Sequence, residues 1–199
     1  MSKNFGKMGE SVIGGIDYRN TPKHAIIDRT GAMAAMEYEH YTIHQGYHYF
    51  YTDKFELTAT TDGSNIKEFF LSTPENYPRV HMKFIFEGSA ITQFDLYEGT
   101  AKLPTTDSAA TVFNSNRNST DTASLTIDTV VASSTDSDGT LIKTYKGGAA
   151  SNQARSGEAA KSDEEIILKR DSAYLIRFTS FTAANLCDMT LLWYEQPES

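Results

Sequence analysis

The feature that most constrains the fold is a series of short segments in which apolar and polar side chains alternate. In the clearest one, residues 80–87, Val, Met, Phe and Phe occupy every second position. A period of two is typical of a strand that buries one face. Further strands are expected at 68–72, 93–98, 124–131, 140–145, 165–169, 174–179 and 189–194. Turn residues separate these segments, so the sequence predicts an all-β chain, an antiparallel and jelly-roll-like β-sandwich.

The chain is long enough to form one good core without covalent cross-links. A domain of this size buries roughly 70% of the surface that its unfolded chain exposes. The 11 Phe and 11 Tyr side chains supply large apolar areas for that core. Cys187 is the single cysteine, so no intrachain disulfide can form, and a buried, unreactive thiol is expected.

Charge divides the chain into an N-terminal arm, 1–36, and a body, 37–199. The arm holds five basic and three acidic side chains, net +2, whereas the other 163 residues hold 13 basic and 23 acidic ones, net −10. We expect an extended arm that docks onto an acidic partner surface through its basic residues. The candidate docking residues are Lys7, Arg19, Lys23 and Arg29.

Composition also bears on partners and compartment. A net charge of −8 argues against nucleic-acid binding, because phosphates are neutralised by Lys and Arg. No segment approaches the roughly 20 apolar residues of a membrane span, and the N-terminus lacks the apolar core of a secretory signal. We therefore expect a protein that is synthesised in the cytoplasm and binds no membrane.

Three histidines, His40, His44 and His48, are spaced as metal ligands would be on a helix. The surrounding Tyr, Thr, Ile and Phe residues favour a strand, however. On a strand, residues four apart lie about 13 Å apart, which exceeds the reach of one ion with bonds of about 2 Å. We expect sheet histidines and no metal, an expectation that depends on this segment being a strand and not a helix.

Three other patterns resemble functional motifs. Residues 136–139, Asp-Ser-Asp-Gly, resemble a calcium loop, but Tyr145 stands where an EF-hand carries its bidentate acid. The acidic run 163–165 precedes a strand, where neighbouring carboxylates point apart, and Asn118-Ser119-Thr120 is a glycosylation sequon by pattern alone. No nucleophile elbow or phosphate loop is present. We therefore expect no catalytic residue, no cofactor and no metal.

The long polar stretch that precedes residue 124 contains the string Asn116-Arg117-Asn118. Such a stretch between strands builds surface rather than core. We expect Asn116, Arg117 and Asn118 to fix this loop or to contact another subunit.

Several short strings occur together in an order that resembles one protein family. They are Ile43-His44-Gln45-Gly46, Leu71-Ser72-Thr73-Pro74, Tyr97-Glu98-Gly99, Asn114-Ser115-Asn116-Arg117-Asn118-Ser119, Ala173-Tyr174-Leu175-Ile176-Arg177 and Trp193-Tyr194-Glu195. In this order they resemble a family of virion structural proteins of tailed bacteriophages, over about residues 36–196. The resemblance implies a head-associated virion protein made in the bacterial host cytoplasm, and it brings no catalytic residues.

Together these observations predict a non-enzymatic capsid decoration protein that binds the major capsid protein and stabilises the shell. Such proteins form closed rings, and a homotrimer is favoured. The alternative is a head-fibre or tail component that recognises host-surface carbohydrate through exposed Tyr, Asn and Asp side chains. An enzyme acting on glycans is a third hypothesis, which requires two carboxylates converging in a groove.

Overall fold

The computed structural model describes residues 14–16, 22–24, 38–58, 65–76, 78–102, 108–129, 135–147, 160–161 and 164–196. The chain divides into two compact units, Met1–Tyr41 with Ser199 and Thr42–Glu198. The predicted limits of arm and body, 1–36 and 37–199, stay a prediction, because most of the arm lies outside the described residues.

The described elements are sixteen strands and one helix. In chain order they are β1 (Gly14–Ile16), β2 (Pro22–His24), α1 (Tyr38–Gln45), β3 (His48–Leu57), β4 (Ile66–Ser72), β5 (Arg79–Gly88), β6 (Thr92–Glu98), β7 (Ala101–Lys102), β8 (Ser108–Ala109), β9 (Phe113–Asn114), β10 (Thr126–Thr129), β11 (Thr135–Ser137), β12 (Thr140–Gly147), β13 (Ala160–Lys161), β14 (Ile166–Ile167), β15 (Ala173–Ser180) and β16 (Asn185–Gln196).

Two antiparallel sheets form the body and confirm the predicted all-β sandwich. Sheet I has the strand order β12-β6-β15-β4-β10-β8. Sheet II has the order β13-β5-β16-β3-β9, with β14 also paired to β5. Strands β3, β4, β5 and β6 alternate between the sheets along the chain, and so do β14, β15 and β16. Two small pairs, β1 with β2 and β7 with β11, stand outside these sheets.

Aromatic side chains pack the two sheets against each other. Phe86 of sheet II stacks on Phe94 of sheet I with ring centroids 4.7 Å apart, and Phe55 meets Phe178 edge-on at 5.1 Å. Such pairs add about 0.5–1.5 kcal/mol each to the gain from burial. The apolar residues predicted to share one face of β5 are all buried, so the period of two is confirmed there.

Cys187 is buried in the same core, as predicted. Burial raises the pKa of its thiol, while a hydrogen bond with Thr92 acts in the opposite direction. The thiol is therefore held in its neutral, unreactive form.

The expectation that His40 and His44 lie on a strand was wrong, because Tyr38–Gln45 form the helix α1. Gly46 ends this helix at a φ of +79°, which favours glycine. The Gly46 amide donates to the Ile43 carbonyl at 3.0 Å, and the Tyr47 amide donates to the Thr42 carbonyl at 2.9 Å. These two bonds form a Schellman cap, which outweighs the strand preference of the aromatic residues before it.

Candidate functional site

The predicted site residues fall in two regions. Asn116, Arg117 and Asn118 lie in the turn that follows β9, at one edge of sheet II. Of the predicted docking residues, Lys23 lies in β2, and Lys7, Arg19 and Arg29 lie outside the described residues. The docking arm therefore stays a prediction, and the described site is built around the turn.

Asn114 holds the start of this turn. Its buried side-chain amide donates to the carbonyl of Gly46 at 2.8 Å and to that of Asp121 at 3.1 Å. Its side-chain oxygen accepts from the Asn116 amide at 2.8 Å. We call the group formed by Gly46, Asn114, Asn116, Ser119 and Asp121 the Asn114 junction. It ties the end of α1 to the loop that follows β9, two segments 68 positions apart.

Asn116 continues the same network within the turn. Its side chain donates to the His44 carbonyl at 3.3 Å and accepts from the Asn118 amide at 3.2 Å. Its own carbonyl accepts from the Ser119 amide at 2.9 Å. Asn116 and Asn118 therefore take part in loop-fixing contacts, while their role toward another subunit stays a prediction.

Within the junction, Gly46 packs closely against Ser119. A Cβ atom at this position would lie 2.5 Å from the Ser119 hydroxyl oxygen. Ser119 is itself held by Asp121, whose carboxylate accepts from its hydroxyl at 3.1 Å. The junction therefore requires glycine here for space as well as for backbone conformation.

Glu195 closes the other side of the loop. Its buried carboxylate accepts from the backbone amides of Ser124 and Leu125 at 2.9–3.0 Å and from the Trp193 indole at 3.2 Å. Tyr49 adds a bond from its hydroxyl to the Thr122 carbonyl at 3.2 Å. Burial, and secondarily the Glu195 charge, raise the pKa of Tyr49 to about 12. Glu195 of β16 and Tyr49 of β3 therefore anchor the part of the polar connection that leads into β10.

Arg117 lies at the surface of the same turn, over an exposed aromatic ring. Its guanidinium carbon is 5.2 Å from the centroid of the Phe113 ring, and the Phe113 ring lies 5.6 Å from that of Phe50. Phe113 is 41% exposed. Within the described part of the chain, Arg117 forms a weak bond to the Asn114 carbonyl at 3.5 Å and no ion pair. This arrangement presents a cation and an aromatic face to solvent.

A row of polar side chains crosses the outer face of sheet II beside this turn. His48 contacts the Ser115 hydroxyl through Nδ1 at 2.7 Å. Further along, Glu165 accepts from the Tyr194 hydroxyl at 2.9 Å and lies 2.6 Å from His81 Nδ1. Because a carboxylate only accepts, this geometry places a proton on His81 Nδ1. The buried His81 Nε2 then has no hydrogen-bond partner among the described groups.

The prediction that all three histidines lie in a sheet was wrong for two of them. His40 and His44 lie on α1, so the distance argument for a strand does not apply to them. His48 begins β3 and binds Ser115. Among the residues that the structure describes, no three His, Cys, Asp or Glu side chains come together as a metal site would need.

A second network joins the ends of β4, β6 and β15. The Thr73 hydroxyl donates to the carbonyl of Lys169 at 2.7 Å, and Lys169 forms an ion pair with Glu98. The Tyr174 hydroxyl also donates to Glu98, at 3.0 Å. The hydrogen bond from Lys169, reinforced by that from Tyr174, holds the pKa of Glu98 below its usual value despite burial. Thr73, Glu98 and Tyr174 lie in three of the short strings singled out in the sequence, whereas Lys169 lies in none of them.

The sequence did not indicate one strong ionic cluster on the outer face of sheet I. Arg177 donates from Nε to Glu68 at 2.6 Å and from its two terminal nitrogens to Asp138 at 2.6 and 2.7 Å. Its guanidinium also lies 5.3 Å from the Tyr97 ring centroid. Hydrogen bonds to Asp138, and then to Glu68, raise the pKa of Arg177. The sequence signal for this cluster was a single charged residue in each of two otherwise mainly apolar predicted strands, Glu68 in 68–72 and Arg177 in 174–179.

This cluster sits beside a small apolar group on the same face. Phe70 and Leu175 are buried there, with Tyr97 packed against them. Glu68, directly opposite Arg177 in the sheet register, is only 4% exposed. Its second carboxylate oxygen has no hydrogen-bond partner among the described groups. The bidentate bond to Asp138 therefore anchors the β11–β12 connection on sheet I.

No protein-family model, curated protein or solved structure matches this chain. In the described part of the chain, no helix has both the length and the apolar character that a membrane-spanning helix needs.

Proposed function

We propose that this chain is a non-enzymatic structural protein of a tailed-bacteriophage virion, a capsid decoration protein that binds the major capsid protein. It adds interface area across neighbouring capsid subunits of the assembled head. Because it binds the assembled shell and not free subunits, it stabilises the shell by mass action.

The observation that carries this proposal is the convergence of the family-like strings. The strings at 43–46 and 114–119 meet at the Asn114 junction, and Glu195 of the string at 193–195 binds Ser124 and Leu125 further along the same connection. Those at 71–74, 97–99 and 173–177 meet around Thr73 and Glu98. Short strings that fold into two shared networks constrain each other, so their joint order is more informative than any one of them.

The strand order supports a jelly-roll version of the sandwich. The eight principal strands are, in chain order, β3, β4, β5, β6, β12, β14, β15 and β16. Across sheet II their order is first, eighth, third and sixth. Across sheet I it is second, seventh, fourth and fifth. This order is the one expected of a jelly roll, a fold that recurs in viral capsid proteins. The connection between the fourth and fifth strands carries the turn with Arg117.

The experiment is reconstitution on heads that lack this protein. Purified full-length chain should co-sediment with such heads and raise the temperature at which they release DNA. A variant without residues 1–30 should keep the spectroscopic signature of the folded body but lose binding. Full occupancy by the truncated variant would overturn the docking role of the arm, and no binding by the intact chain would overturn the proposal.

One observation favours the alternative, a head-fibre or tail component that binds host carbohydrate. Phe113 is exposed beside the polar side chains of the Asn114 junction, and an aromatic face with nearby polar groups suits a sugar ring. Binding of the isolated chain to host-surface glycan, lost in Phe113→Ser, would support that function over decoration.

A further inference from the structure

One edge of sheet II is only partly covered by its last strand. Strand β9 pairs with β3 at Tyr49 and Phe50 alone. No other described strand pairs with that side of β3, although β3 continues to Leu57. Residues 52–57 of β3 therefore form an open strand edge within the described part of the chain. Such an edge offers unpaired backbone groups to another polypeptide.

The backbone groups that point out of this edge belong to the even-numbered residues of β3. The His48 carbonyl accepts from an amide on the β9 side, and in an antiparallel strand every second residue points the same way. The Lys54 amide fits this pattern, because it donates to the Asp53 carboxylate of its own strand at 2.9 Å. The pairing of β3 with β16 has no irregularity. The backbone groups of Thr52 and Glu56 consequently point outward as well.

The inner face of the open edge is apolar. Phe55 is half-buried there, and its ring lies 5.1 Å from that of Phe178 and 5.7 Å from that of Phe69. An added strand would place one side chain directly opposite Phe55, with the two Cβ atoms about 4.5–5.5 Å apart. An apolar side chain at that position would remove the exposed part of the Phe55 ring from water, which favours binding.

The outer face of the same corner carries an excess of negative charge. Glu56 and Glu87 are exposed, and neither forms an ion pair within the described part of the chain. Asp188, directly opposite Glu87, pairs with Lys54 in an exposed contact at 3.4 Å. Leu186, directly opposite Glu56, is 62% exposed. Three carboxylates and one ammonium group therefore surround an exposed apolar side chain beside the open edge.

We propose that the open edge of β3 binds an extended, basic segment of a partner protein, which adds to sheet II as a further strand. Backbone hydrogen bonds to Thr52 and Glu56 hold the segment. A Lys or Arg of the segment lies opposite Glu56, and apolar residues alternate with it toward Phe55. The acidic corner, on a body of net charge −10, attracts a basic segment and repels both an acidic one and a second body. This inference goes beyond the proposed function and does not depend on it.

The test is binding of a fluorescently labelled peptide of about eight residues, in which Lys and Val alternate, to the full-length chain. Fluorescence anisotropy should show saturable binding of this peptide and none of a peptide in which Glu and Val alternate. Thr52→Pro removes one outward amide without changing the charge, and it should weaken binding at least about fivefold. Glu56→Lys places like charges together and should weaken binding at least about tenfold.

The matched control is Glu75→Lys, the same change of charge on the exposed connection that follows β4, which should bind the peptide as the wild type does. Circular dichroism should show that every variant is folded. Sedimentation velocity of the wild type alone tests another occupant. A species larger than the 22.1 kDa monomer that Thr52→Pro abolishes would place a second copy at this edge and overturn the proposal. No binding, equal binding of both peptides, or unchanged binding by folded Thr52→Pro and Glu56→Lys proteins would also overturn it.

Discussion

Replacement of Arg177 by methionine tests the ionic cluster on sheet I. Methionine keeps an unbranched apolar stem of comparable reach but removes all donors of the guanidinium. The substitution breaks the 2.6 Å bond to Glu68 and both bonds to Asp138. Glu68 then keeps a buried carboxylate with neither an ionic partner nor solvent.

The magnitude follows from how exposed each partner is. Glu68 is 4% exposed, and removing one partner of such a buried pair costs about 3–5 kcal/mol. The side chain of Asp138 is 39% exposed, so solvent screening limits its share to about 1 kcal/mol or less. For a chain of this length, a loss of 3–5 kcal/mol lowers Tm by about 6–20 °C.

Urea unfolding measures this cost directly. Trp193 is the single tryptophan of the chain and is buried, so its fluorescence reports unfolding. Lys54→Met is the matched control, because it removes a cation from the exposed Lys54–Asp188 pair at 3.4 Å. Its expected cost is below about 1 kcal/mol.

The double variant Arg177→Met with Glu68→Met separates a lost attraction from a stranded charge. An apolar pair of similar volume often replaces a buried ion pair without loss, so the double variant should recover at least about 2 kcal/mol of the single variant's cost. An Arg177→Met protein within about 1 kcal/mol of the wild type would refute the reasoning. So would a double variant less stable than the single one.

Three further substitutions test the junctions. Glu195→Ala leaves two backbone amides and an indole without their acceptor, and it should cost about 3 kcal/mol in urea unfolding. Gly46→Ala should cost more than Gly99→Ala, because both have positive φ but Ser119 obstructs a Cβ at the former alone; equal Tm losses would contradict this. Tyr49→Phe tests alkaline stability. The pKa of Tyr49 is about 12 in the fold against 10.0 ordinarily. The stability that the protonated Tyr49 hydroxyl contributes to the wild type is therefore complete below pH 10 and is lost as the pH rises to 12. In the Tyr49→Phe variant the stability should decline less between pH 10 and pH 12. A decline equal to that of the wild type would contradict this role of Tyr49.

The strands were predictable wherever burial imposes a strict period. Residues 80–86 alternate because one face of β5 meets the core and the other meets solvent. The segment 38–45 was not predictable in the same way, because a helix of eight residues shows too little of its period. Its composition favoured a strand, and only Gly46 marked the helix end.

The networks were beyond prediction because they depend on sheet register. Arg177 and Glu68 lie 109 positions apart, and their contact exists only because β15 pairs with β4 in this register. A slip of one residue would place the two side chains on opposite faces. The turn at Asn116 was identified from its string, but its attachment to His44 and Gly46 required coordinates.

A reconstruction of the virion at a resolution that traces this chain is the most direct test of the proposed function. We predict density for the β-sandwich on the outer surface of the head, repeated over the lattice in on the order of a hundred or more copies. A head surface without this density, or the chain confined to about a dozen copies at the portal or tail, would contradict the account.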